Sequence, residues 1–120
     1  MKEQIEIVLE VMRESYRQRN KNSQTVTTIL GEDWLKEQEE DFSNGLVAVE
    51  HRRYWKIISY CNSKMYHGSV RGFIVKAGDK KFKEGDMLKA SGWSAPARNY
   101  ARGNVIDGTG VAGTRWTGIR

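Results

Sequence analysis

The chain has 120 residues, 38% of them hydrophobic and twelve aromatic, which suffices for one domain with one modest core and is too apolar for a disordered chain. No run approaches the roughly 18 apolar residues of a membrane helix, and a single cysteine, Cys61, excludes an internal disulfide and a multi-cysteine zinc site. The net charge of +5 is unevenly spread: residues 1–45 carry six Lys/Arg against ten Asp/Glu, whereas residues 46–120 carry fourteen against five.

In chain order, Met1 to Glu6 alternates charged with apolar residues and lacks the apolar stretch of a secretion signal, so a cytosolic protein is expected. Ile5, Val8, Leu9, Met12 and Tyr16 recur at three- and four-residue spacing, which predicts an amphipathic helix. Its acids lie early and its arginines late, as the helix dipole favours, with Glu10–Arg13 and Glu14–Arg17 as supporting pairs. A lone 120-residue domain offers limited core, so this stripe is expected to form contacts between copies of the chain. Asn20 to Ser23 breaks the pattern, and Thr25 to Leu30 is compatible with helix or strand. A second helix is predicted from Glu32 to Phe42, ended by Asn44-Gly45; the cluster Glu39-Glu40-Asp41 reads as its solvated face.

After Gly45 the texture changes to short β-branched and aromatic runs: Leu46 to Glu50, Tyr54 to Cys61, Ser69 to Lys76, Met87 to Ala90 and Thr114 to Ile119. Turns are predicted at 77–80 and 83–86. The expected fold is therefore α+β: a single domain with N-terminal helices (1–44, oligomer-forming) followed by an antiparallel sheet (45–120, ligand-binding). Cys61 reads as a small buried strand residue.

Little here supports catalysis. His51 and His67 are the only histidines, neither has a metal-ligand partner at the right spacing, and no nucleophile elbow is present. No catalytic residue, metal or cofactor is expected. The basic half instead holds ten of the twelve glycines and three of the four tryptophans, a mixture suited to an anionic, ring-bearing ligand. Gly103, Gly108, Gly110 and Gly113 match neither the dinucleotide fingerprint nor the Walker loop, yet glycines permit close approach of backbone N–H groups to phosphate. Between Ala90 and Asn104, Arg98 and Arg102 can bind phosphate, Trp93 and Tyr100 offer faces for a purine, and Asn99 and Asn104 can read its edge.

Four segments carry a resemblance: Phe82-Lys83-Glu84-Gly85-Asp86-Met87-Leu88-Lys89-Ala90, Trp93-Ser94-Ala95-Pro96-Ala97, Ala101-Arg102-Gly103-Asn104-Val105-Ile106-Asp107-Gly108 and Arg115-Trp116-Thr117-Gly118. Together they resemble the first type of Thoeris anti-defence protein, a phage and prophage family, over about the last third of the chain. The resemblance implies a sponge that binds the cyclic ADP-ribose isomer made by TIR-domain proteins and holds it uncleaved in the bacterial cytoplasm, blocking Thoeris defence. Some members also bind cyclic oligonucleotides at separate sites. It further implies dimers or higher oligomers with pockets near subunit contacts. By that resemblance Phe82 and Arg115 sandwich the adenine, Asn99 or Asn104 takes its edge or a ribose, and Arg98 and Arg102 take the pyrophosphate. Trp93 and Trp116 complete the candidate set. The competing readings are a basic module for single-stranded nucleic acid, which is not expected as partner, and a small cyclic-nucleotide hydrolase.

Overall fold

The computed structural model describes residues 1–21, 36–60 and 68–120. Helix α1 spans Lys2–Lys21. A second helix, α2, occupies described residues 36–45, and five strands follow: β1 Leu46–Glu50, β2 Tyr54–Tyr60, β3 Gly68–Val75, β4 Asp86–Leu88 and β5 Gly103–Asn104. The strands form one sheet in the order β1-β2-β3-β4-β5, every neighbouring pair antiparallel, so the fold is α+β. Thr25 to Leu30, Cys61 and His67 lie outside the described residues, as does the predicted start of α2.

The stripe predicted for α1 is buried within the chain. Ile5, Val8, Leu9 and Met12 pack with Leu46, Ile57, Ile74 and Met87 of the sheet and with Phe42 of α2. Each buried apolar side chain of this size contributes about 1.5–3 kcal/mol. This corrects the expectation that the stripe serves contacts between copies: the sheet needs a cover on that face, and α1 supplies it. Tyr16 closes the end of the layer, stacked on Phe42 at 4.5 Å and edge-on to Trp116 at 5.5 Å. On the outer side of α1, Arg13 bonds Glu6 and Glu10, and Arg17 bonds Glu10 and Glu14. The hydrogen bond from Arg17 helps hold the Glu10 carboxyl below its usual range. Arg13 also donates to the carbonyls of Ser43 and Leu46, tying α1 to the α2–β1 junction.

Strand alternation sends Phe73, Val75 and Leu88 to the opposite face of the sheet, where Phe82 joins them. No helix among the described residues covers that face; the 77–101 stretch does, with Ala90 and Ala101 packed against the cluster.

The chain departs from expectation most at its end. Thr114 to Ile119 is not a strand: Val111–Gly113 forms a 3-10 turn, and Arg115 and Gly118 pair across the tight turn Trp116-Thr117. What looked like a β-branched and aromatic strand is instead an anchor. The Ile119 side chain fills the space left by Gly72 of β3, where a Cβ would overlap it, and its N–H bonds Arg71 O. The Gly103–Gly113 segment also closes on itself, because a Cβ at Gly103 or Gly110 would collide with the facing backbone, and Gly110 holds a φ of 73°. No helix of the described residues is long and apolar enough to cross a membrane.

Candidate functional site

The candidate residues divide between the two faces of the sheet, and one loop feeds both. Arg98 and Arg102 stand four positions apart in the irregular stretch between β4 and β5, and they serve different sides of the sheet.

On the helix-covered side, Arg102, Tyr100 and Arg120 line a cavity of about 330 Å³ with Gly110, Gly113 and Ile119. The Arg102 guanidinium lies 3.9 Å from the Tyr100 ring centroid. It donates to Arg120 O at 2.8 Å, to Asn99 Oδ1 at 3.1 Å and to Tyr100 O at 3.3 Å. A guanidinium fixed by three acceptors and a ring is already oriented before any ligand arrives, which lowers the ordering cost of binding an anion. Arg115 is exposed nearby; Thr114, its neighbour, lines both this cavity and the groove against Val11, Ser15 and Gln18 in which Arg115 sits. Arg115 donates through Nη1 to Ala112 O and Thr114 O.

On the other side, Arg98 lies 5.0 Å from the Phe82 ring centroid and forms a two-pronged pair with Asp79, at 2.8 and 3.1 Å. It also donates to Tyr54 Oη. Asp79 accepts the N–H groups of Lys81 and Phe82 as well, and its side chain is only 3% exposed. These bonds, led by the one from Arg98, hold its carboxyl well below the usual carboxylate range. Farther along, Lys56 is buried on β2 with its ammonium 3.9 Å from the Trp93 ring, and burial lowers its pKa.

Three candidates work inside the fold. Asn104 is buried, and its amide is fully engaged: Nδ2 donates to Glu84 O and Asp86 Oδ1, and Oδ1 accepts from the N–H groups of Ile106 and Asp107. This corrects its assignment to a ligand edge and leaves Asn99 as the asparagine beside a cavity. Trp116 packs against Tyr16 and Phe42, with Arg19 at 4.9 Å over its ring. Phe82 is 9% exposed and belongs to the core of its face. Phe82 and Arg115 therefore stand on opposite sides of the sheet, and one chain cannot sandwich a ring between them.

Sequence reasoning passed over Asp79, Tyr54 and Lys56. A signal existed for Asp79: Gly78-Asp79 inside a predicted turn is the pattern in which a carboxylate caps following N–H groups. Compared with protein-family models, curated proteins and solved structures, the chain has no match.

Proposed function

We propose that this chain is a sponge: it binds a pyrophosphate-bearing cyclic nucleotide, of the cyclic ADP-ribose isomer class, and sequesters it without cleavage. The observation that carries the reading is the Arg102 guanidinium, pre-set on Tyr100 and Asn99 at the wall of the glycine-lined cavity. A cavity of about 330 Å³ lies in the range of small-molecule sites. The resemblance to Thoeris anti-defence proteins supplies the ligand class, and with it a phage role in the bacterial cytoplasm. In this reading Arg102 takes the pyrophosphate and Tyr100 offers a face to the adenine, while Phe82, buried in the core of the opposite face, takes no part. No general base is required, since no bond is broken.

The test is to incubate the protein with the cyclic ADP-ribose isomer, remove unbound ligand, denature by heat and separate what is released. Intact ligand is expected. Altered ligand would make the protein a hydrolase, and no ligand would remove the reading. The site has its own check: an Arg102→Ala variant should bind poorly with its fold intact, and unchanged binding would mean that the ligand sits elsewhere.

A second reading, binding of single-stranded nucleic acid, is favoured by the exposure of Trp93 and Tyr100, 52% and 57%. It predicts a steep loss of affinity with salt, whereas a compact nucleotide in a cavity predicts a shallow one.

A further inference from the structure

The turn between β1 and β2 and the turn that follows β3 enclose a second cavity, of about 490 Å³, that shares no lining residue with the Arg102 cavity. Its wall carries Arg52, Arg53, Lys76, Lys80, Lys81 and Arg98, with Asp79 as its one carboxylate. Lys76 is paired with Glu50 at 2.7 Å, just outside. Six cations against two carboxylates leave an excess of four positive charges. A cavity of that volume is about as wide as the screening length at physiological salt, roughly 8 Å, so these charges feel one another. The fold nevertheless holds them together. Asp79, almost wholly buried, grips Arg98 from one side and Arg53 from the other at 3.5 Å, and Lys81 is tied back to Arg98 O. Arg52 and Lys80 are exposed and form no ion pair among the described residues.

We infer that this cavity is a binding site for a linear polyphosphate chain, free or carried by a nucleoside. The charge excess selects the ligand. One orthophosphate would leave half of the excess unmatched, whereas a triphosphate brings about four negative charges in a chain short enough to enter. Nucleic acid is disfavoured because its charges are spread along an extended strand, whereas these cations converge on one concavity. The neighbouring cavity shares Arg52 and Arg53 and contains His51, Tyr54 and Lys56, so a base attached to the chain has aromatic surface within reach.

The inference does not depend on the sponge reading, and titration calorimetry of the full chain separates the two. The probes are inorganic tripolyphosphate, pyrophosphate, orthophosphate, ATP and a mixed-sequence single-stranded oligonucleotide. Tripolyphosphate should bind one per chain, with affinity falling about tenfold at each step to pyrophosphate and orthophosphate, as charge-assisted bonds are lost. ATP binding more tightly than tripolyphosphate would identify a nucleoside-borne chain; equal binding would identify the phosphates alone. An Arg52→Gln/Lys80→Gln double variant should lose at least about tenfold for tripolyphosphate while still retaining the cyclic nucleotide. A Lys83→Gln/Lys89→Gln variant, equal in charge change but outside the cavity, should bind as the parent does. Equal weakening in both double variants would overturn the site in favour of diffuse attraction. Oligonucleotide binding without tripolyphosphate binding would overturn it in favour of nucleic acid.

Discussion

The two faces of the sheet are built by different means. One is closed by α1, whose side chains interlock with Leu46, Ile57, Ile74 and Met87. The other is closed by irregular chain around a smaller cluster, Phe73, Val75, Phe82 and Leu88, and its loops are fixed by polar hubs. Asp79 collects two guanidiniums and two N–H groups; Asn104 collects four bonds of its own. An apolar layer tolerates slight rearrangement of each contact, whereas a hub fails as a unit when its central side chain is removed.

The largest effect should come from forcing the helical face apart. Leu9→Glu places a carboxylate in a dry layer and should cost more than about 4 kcal/mol, abolishing cooperative unfolding in a denaturant titration. A folded Leu9→Glu variant of lower oligomeric state would instead return α1 to the subunit interface. Next, Asn104→Ala strands the N–H groups of Ile106 and Asp107 and should cost about 2–3 kcal/mol by the same measurement. A cost below about 0.5 kcal/mol, typical of a surface change, would show that the hub is dispensable.

The Asp79 hub sharpens the comparison through pH. Its folded pKa is depressed, so its contribution is fully present above the unfolded carboxylate value of about 3.9 and is lost as pH falls through the lower folded value. Melting temperature of the parent should therefore fall below about pH 4, and an Asp79→Asn variant, less stable at neutral pH, should fall less steeply over the same range. Parallel curves would assign acid loss to other carboxylates. Smallest of all, Arg17→Ala removes only exposed pairs on α1 and should cost about 0.3–0.5 kcal/mol. Arg13→Ala should cost more, since Arg13 also ties down Ser43 and Leu46. Equal costs would mean that those carbonyl bonds add nothing.

The same contrast explains what was legible in the sequence. α1, β1, β2 and β3 announce themselves because burying one face imposes a period, and the supporting pairs Glu10–Arg13 and Glu14–Arg17 follow from helical spacing alone. Hubs have no period. Asn104 looked like a ligand residue because a buried amide and a binding amide share one composition; only the positions of Glu84, Asp86, Ile106 and Asp107 reveal the difference. Thr114 to Ile119 looked like a strand because Thr114, Trp116, Thr117 and Ile119 are β-branched or aromatic, yet Ile119 and Trp116 serve separate contacts, one over Gly72 and one beside Tyr16. The split of Phe82 from Arg115 was likewise invisible, since sequence distance says nothing about the side of a sheet.

The short run from Arg98 to Arg102 has a mechanical consequence. Four peptide links span at most about 14 Å, and both ends are moored, one to Asp79 and Tyr54, the other to Asn99, Tyr100 and Arg120. The run is thereby held at both ends, and a change that removes one mooring leaves the other in place.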